Sequence, residues 1–327
     1  MLITCKRSLA LLFATSLMLL SAVGFADELQ FNMTEGVTSV SKSVYSLHML
    51  IFWICCIIGV VVFGAMFVSM FLHRKSRGAK ASHFHESVAL ELVWTIVPAL
   101  ILIGMAIPAT TTLKEIYDTD DADIDILVTG YQWKWKYEYL GQDVSFFSNL
   151  STPSAQINNE EEKGEHYLLE VDEPLIIPVN KKIRFLVTAG DVIHSWWVPD
   201  LAVKRDAIPG YTNAAWTLVE EEGVFRGQCA ELCGKDHGFM PIEVHAVSEE
   251  KYAAWMAEKQ AAAQAIAEAA KKTLTIEELI AEGETVYTKY CASCHQPDGK
   301  GIAPMFPAIA GSAIAQGDVS THLDRVI

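Results

Sequence analysis

The sequence predicts a multi-domain membrane protein: a two-helix transmembrane hairpin, an all-β exported domain, a helical linker and a small terminal segment. Three observations predict it. Two long runs carry no charge, a stretch of short β-branched and aromatic segments follows them, and an Ala/Glu/Lys/Gln-rich block comes next. The bulk composition agrees. Over 327 residues, 51% are hydrophobic and 20% charged, with a mean hydropathy of +0.24. That is too apolar for disorder and too charged for a chain embedded throughout in lipid. The net charge of −15 repels phosphate backbones and excludes nucleic acid as a partner.

Lys6 and Arg7, the apolar stretch Leu9–Leu20 and the small residues up to Ala26 read as a signal peptide over 1–26. The segment 27–114 holds the hairpin. Met49–Leu72 has no charged residue over 24 positions and Leu92–Leu113 none over 22. Each meets the ~20 residues needed to cross a bilayer, which predicts spans at about 48–72 and 91–113. Pro98 and Pro108 fall inside the second, where membrane helices tolerate them. Arg74, Lys75, Arg77 and Lys80 put the connecting loop in the cytoplasm, so the rest of the mature chain lies outside it.

Residues 115–248 form the exported domain. Glu115–Ser248 carries 24 acidic and 10 basic side chains, a difference of −14, nearly the whole net charge. Strand-like segments are expected at Ile124–Tyr139, Tyr167–Val171, Pro174–Val179, Ile183–Thr188, Ala214–Val219, Val224–Cys229 and Pro241–Val247. A Greek-key sandwich or barrel follows from that pattern. The stretch 249–273 reads as a helical, semi-rigid spacer, and 274–327 as a last small segment.

Seven cysteines punctuate the chain. Cys5 belongs to the signal peptide, and Cys55 and Cys56 are packing residues of the first span. The run Cys229-Ala-Glu-Leu-Cys233-Gly-Lys-Asp-His237-Gly-Phe-Met240 places two thiolates, an imidazole and a thioether within twelve residues, with His194 upstream. Soft sulfur with imidazole suits copper or zinc. A second thiolate beyond the blue-copper set can bridge to a second copper, with Met240 and a backbone carbonyl as weaker ligands. A Cys₂His₂ zinc site from Cys229, Cys233, His237 and His194 is the alternative, and leaves Met240 without a role. A disulfide leaves both histidines unexplained. Cys291-Ala-Ser-Cys294-His295 has the spacing of covalent c-type haem attachment, with His295 as an axial ligand.

With these motifs the chain resembles subunit II of haem–copper cytochrome c oxidases, with a cytochrome c domain fused at the C-terminal end. The most specific segments are Trp94-Thr-Ile-Val-Pro98, Gly130-Tyr-Gln-Trp-Lys-Trp135, His194-Ser-Trp-Trp-Val-Pro199, Lys204-Arg-Asp-Ala-Ile-Pro-Gly210 and Cys229–Met240. The resemblance implies a cupredoxin-like barrel with a dinuclear CuA centre held by His194, Cys229, Cys233, His237, Met240 and the Glu231 carbonyl. It also implies magnesium or manganese on the Glu231 side chain, Trp133 as the surface residue that receives electrons, and Glu91 at the mouth of a proton path. Implied partners are oxidase subunits I and III, membrane lipid and a basic cytochrome donor. Glu138, Asp143, Asp191 and Asp206 are candidate docking acids. The implied location is the bacterial inner membrane, with the copper and haem domains on the periplasmic side.

One departure concerns the haem. Only 32 residues follow His295, and their sole methionine, Met305, is too near to be the usual distal ligand. The chain stops at Asp324-Arg-Val-Ile327 inside an expected helix, which reads as a truncated haem domain. Two other functions compete with an electron-accepting oxidase subunit. One is a membrane-tethered electron carrier or copper-delivery protein; the other is an exported thiol–disulfide protein.

Overall fold

The computed structural model describes residues 32–80, 85–271, 274–303 and 306–326. The expected signal peptide and Met305 lie outside them. The chain divides into two compact units, one ending at Ala261 and the other starting at Ala262.

Helices α1 (Ser39–Leu72) and α2 (Val88–Ile116) form the hairpin. Both are long and apolar enough to span a bilayer, and neither buries its apolar window within the chain. They are longer than the uncharged runs, because polar turns continue each helix outward. At the start of α1, Thr38 and Ser41 cap each other reciprocally. The Thr38 side chain accepts from the Ser41 N–H, and the Ser41 hydroxyl accepts from the Thr38 N–H, both at 2.9 Å. Both residues are buried, and Thr38 bridges to Val219 of the β domain. At the far end of α2, the Glu115 carbonyl accepts from the Trp216 indole N–H at 2.9 Å. The hairpin is thus tied to the β domain at both helix ends.

The β domain is two five-stranded sheets. The first has the order β3 (Val144–Ser148), β2 (Lys134–Tyr139), β1 (Ile124–Tyr131), β5 (Lys182–Ala189), β8 (Asn213–Leu218). The second runs β4 (Leu175–Pro178), β10 (Pro241–Val247), β9 (Gly223–Cys229), β6 (His194–Val198), β7 (Val203–Ala207). The β1–β5 and β4–β10 pairs are parallel and the others antiparallel. Alternation along β5, half-buried then buried, shows one face turned to the core. Trp135, Tyr137, Phe185 and Trp196 fill that core without exposure.

The strands depart from expectation at five places. Ile124–Tyr139 is two strands folded back at Gln132 and Trp133. Tyr167–Val171 makes only turns and an isolated bridge from Val171 to Leu150. Three strands, β3, β6 and β7, arise outside the expected segments. In β3 and β7 exposed serine, lysine and aspartate alternate with less exposed positions, because each is an edge strand with one face in water.

A short helix α3 (Ser154–Ile157) lies in the β3–β4 connection. Helix α4 (Glu249–Lys271) corresponds to the expected spacer. Its first half is more than a spacer. Tyr252, Trp255 and Met256 pack on the barrel core, the Trp255 ring lies 5.3 Å from that of Tyr139, and Lys259 pairs with Glu173.

The second unit contains α5 (Ile276–Tyr290), α6 (Ala292–His295) and α7 (Val319–Val326). Thr275 and Glu278 form a capping box at the start of α5, and Cys291 caps its end.

Candidate metal and haem centres

The cradle lies at one end of the β domain, where three chain segments meet. His194 opens β6, Cys229 closes β9, and the loop from Ala230 to Met240 returns to β10. Register links the first two, since Trp196 pairs with Cys229 across the β6–β9 ladder. The Ala230 N–H then donates to the Ser195 carbonyl at 3.0 Å, bending the chain over the histidine. Room for the imidazole comes from Gly130, where an added Cβ would lie 2.8 Å from His194 Cδ2.

The candidate ligand atoms converge. Cys229 Sγ lies 3.8 Å from Cys233 Sγ, 4.0 Å from His194 Nδ1 and 3.3 Å from the Glu231 carbonyl oxygen. Cys233 Sγ lies 3.4 Å from His237 Nδ1 and 3.6 Å from Met240 Sδ. His194, Cys229, Cys233 and Met240 are buried, whereas His237 is half-buried. Thiol sulfurs at 3.8 Å are far beyond a disulfide bond of about 2.05 Å. They sit within the span two sulfurs occupy when they share a metal, given metal–sulfur bonds of about 2.3 Å. The residues present therefore fit a centre held by both thiolates, with the His194 nitrogen and Glu231 carbonyl beside Cys229 and the His237 nitrogen and Met240 sulfur beside Cys233.

Electrostatics push the same way. Burial disfavours the Cys229 thiolate, but hydrogen bonds from His194 and the Ser195 backbone outweigh it and hold the thiol below its ordinary pKa. Burial and then the adjacent Cys229 charge push the Cys233 thiol up to about 12. Ionising the second sulfur beside the first therefore calls for a cation between them. Asp191 Oδ1, an acceptor only, lies 2.9 Å from His194 Nε2, so that nitrogen donates to it, and Nδ1, the nitrogen that faces Cys229, is the one left to ligate.

Trp133 is half-buried beside the cradle, and its indole N–H donates to the Cys233 carbonyl at 3.2 Å. Trp135, buried, donates to the Met240 carbonyl at 3.2 Å and meets the His194 ring edge-on. The candidate docking acids separate into two groups. Asp191 touches His194, and Asp206 pairs with Ser195 in the β6–β7 ladder, so both lie at the cradle end. Glu138 and Asp143 lie toward the other end of β2 from Trp133, some 15–20 Å away at about 3.3 Å per residue. Glu138 there pairs with Lys136 at 3.2 Å. Glu231 exposes its side chain while its carbonyl faces Cys229. Glu91 is exposed in the first turn of α2, where a carboxylate favours the helix dipole. Sequence reasoning missed Gln132, whose amide donates to the Cys233 carbonyl at 2.9 Å. Its signal was position alone, between a Gly-Tyr strand end and Trp133.

In the second unit Cys291, at the end of α5, and Cys294, within α6, are both half-buried. His295 Nδ1 donates to the Pro307 carbonyl at 2.9 Å, which leaves Nε2 as the ligating nitrogen. Gly301, at φ +67°, makes the return of that loop possible: an added Cβ would lie 2.1 Å from the Phe306 carbonyl oxygen. Tyr287 ties α5 to the same loop through the Gln296 carbonyl at 2.7 Å. Two thiols one helical turn apart, followed by an imidazole held by its far nitrogen, fit a covalently attached haem.

Comparison with known proteins follows the same divisions. The family described as cytochrome c oxidase subunit II, periplasmic domain, matches residues 124–247, and its transmembrane domain matches 26–111. The cytochrome c family matches 280–325. Cytochrome c oxidase subunit 2 of Cyanidium caldarium is 39% identical over 235 residues, covering 70% of this chain and 91% of that one. A probable cytochrome c oxidase subunit 2 of Rickettsia felis is 37% identical over 259 residues, covering 78% and 79%. Among solved structures, the periplasmic domain of subunit II of the Bradyrhizobium japonicum cytochrome oxidase is 40% identical. It covers 43% of this chain and 96% of its own, with a TM-score of 0.39.

Proposed function

The chain belongs to the cytochrome c oxidase subunit II family, and from that premise we propose how its residues serve an oxidase. In this reading it accepts electrons from a cytochrome at the cradle of His194, Cys229, Glu231, Cys233, His237 and Met240. It delivers them to subunit I of a haem–copper terminal oxidase, where oxygen is reduced. When bound, a dinuclear copper centre and a covalent haem supply reversible one-electron chemistry.

The protein's own contribution is to hold, orient and keep dry. Cys229, Cys233, His194 and His237 would hold the copper centre, with Met240 and the Glu231 carbonyl as its weaker ligands. Strands β6 and β9 fix the first histidine against the first cysteine, so ligands need little rearrangement when charge changes. Burial of His194, Cys229, Cys233 and Met240 excludes water from the sulfurs. Trp133, hydrogen-bonded to the Cys233 carbonyl, is the surface residue through which electrons arrive. Asp191 and Asp206 steer a basic donor toward it. Cys291, Cys294 and His295 would hold the haem in a cytochrome domain over 274–327.

The finer assignments extend this reading. The Glu231 side chain binds magnesium or manganese against subunit I, and Glu91 stands at a proton path into that subunit. Subunit III is a further partner. The hairpin sits in a bacterial inner membrane, with both redox domains on the periplasmic side and 249–273 linking them.

The observation that carries the proposal is the unbonded sulfur pair at 3.8 Å with an imidazole nitrogen on either side. Copper loading of the full-length chain in detergent tests it. A seven-line EPR pattern with near-infrared absorption is expected. A single-copper spectrum, or none, overturns it.

A further inference from the structure

Asp191 does more than orient one ligand. Its carboxylate accepts three hydrogen bonds from two parts of the chain. Oδ1 takes the His194 Nε2–H at 2.9 Å and the Val192 N–H at 2.6 Å, while Oδ2 takes the Gln132 N–H at 2.7 Å. One side chain therefore joins the β6 ligand to the β1–β2 turn, 59 residues earlier.

The same turn reaches the other ligand loop. The Gln132 side-chain amide at 2.9 Å and the Trp133 indole at 3.2 Å donate to a single acceptor, the Cys233 carbonyl. A carbonyl oxygen has two lone pairs, so these two donors saturate it. The approach depends on Gly234, at φ +117°. An added Cβ would lie 3.0 Å from both Gln132 Nε2 and Trp133 Cζ2. A continuous hydrogen-bonded path thus runs from His194 through Asp191 and Gln132 to Cys233, with Trp133 seated on its far end.

We propose that Asp191 and Gln132 are positioning residues that clamp the His194 segment, the Cys233 loop and the Trp133 indole into one assembly. The clamp rests on the reading of His194 and Cys233 as ligands and Trp133 as the electron-receiving residue. It adds a reason for the constant distance that such a transfer needs. Asp191 acts through His194 and the Gln132 backbone, and Gln132 acts through Cys233. An Asp191 held by three donors contributes its charge to the docking face while its lone pairs serve the fold.

The test uses the full-length chain in detergent, labelled with 5-fluorotryptophan, both metal-free and copper-loaded. Trp133→Phe identifies the Trp133 fluorine resonance by its loss. Asp191→Asn keeps the volume but leaves one acceptor oxygen where two are used. Gln132→Ala changes an exposed residue and retains the barrel core. In metal-free protein each variant is expected to shift the Trp133 resonance and leave the Trp135 and Trp196 resonances in place. In copper-loaded protein Asp191→Asn is expected to change the histidine hyperfine coupling and the reduction potential, with a smaller change in Gln132→Ala. A Trp133 resonance that stays put in both metal-free variants overturns the clamp. Should Asp191→Asn fail to fold, Gln132→Ala alone decides by the same resonance. Failure of the parent chain to form a dinuclear centre overturns the function proposed above, while the metal-free resonances still decide the clamp.

Discussion

The two cysteine pairs sit in opposite surroundings. Cys229 and Cys233 are 5% and 3% exposed, and their site draws on β6, β9 and the loop before β10. Cys291 and Cys294 are half-buried on a helical turn, and the groups that serve their site come from Tyr287 to Pro307. The first site is made by tertiary structure: it exists only once distant strands have paired. The second is made by local structure, a capped helix, a turn and a returning loop. A centre that must hold ligand geometry rigid belongs in the first kind of place. A prosthetic group attached covalently tolerates the second.

The largest effect should come from removing a ligand on one side and observing the other. Cys229→Ser is expected to abolish the dinuclear copper spectrum and leave covalent haem intact, as read by EPR and by haem staining of the denatured chain. Cys291→Ser together with Cys294→Ser is expected to give the reverse. Loss of both signals in either variant would break the comparison, because the sites would then share more than a chain.

The buried pair should also respond to pH. In the metal-free cradle the Cys233 thiol is pushed up to about 12, so near neutrality it keeps its proton. A metal that takes both sulfurs must displace that proton, and its apparent affinity falls as pH falls. Calorimetry of copper loading in buffers of different ionisation enthalpy should show proton release. No release would mean that Cys233 stays protonated and does not ligate.

Close approach is the next point of difference. Gly130→Ala puts a methyl 2.8 Å from the His194 ring inside a packed core. A cost of about 1–3 kcal/mol is expected, read as a lower thermal midpoint for the β domain. Gly301→Ala puts one 2.1 Å from the Phe306 carbonyl, at a positive φ. The His295–Pro307 contact should be lost there, read as a changed haem potential with no change in the β-domain midpoint.

These contrasts explain what could be read in the residues. The two spans were legible because absence of charge is a property of consecutive positions. The Cys291–His295 motif was legible for the same reason. Strands β3 and β7 were not, because an edge strand hides its alternation among serines, lysines and aspartates. Residue types in the Cys229–Met240 run pointed to a metal, but the relation of His194 to Cys229 depends on the β6–β9 register. Gln132 carried no chemical signal. Its role appears only when the β1–β2 turn lies over Cys233.

The smallest effect compares two identical capping threonines. Thr38 starts α1 and Thr275 starts α5, and each forms a reciprocal capping box with the residue three positions on. Thr275 is exposed, so water replaces its hydroxyl when it becomes alanine. A loss of about 1 kcal/mol is expected, the usual worth of such a cap. Thr38 is buried, as is its partner Ser41, and the Ser41 N–H depends on the Thr38 hydroxyl. Thr38→Ala leaves that donor without water, and an unsatisfied buried group costs about 1–3 kcal/mol. Hydrogen exchange at the Ser41 and Glu278 amides measures both. Faster exchange at Glu278 in Thr275→Ala should stay within its own helix. At Thr38 the opening should extend to Val219, which the isolated bridge joins to it. Equal and purely local effects at the two caps would mean that the hairpin's attachment to the β domain does not pass through Thr38.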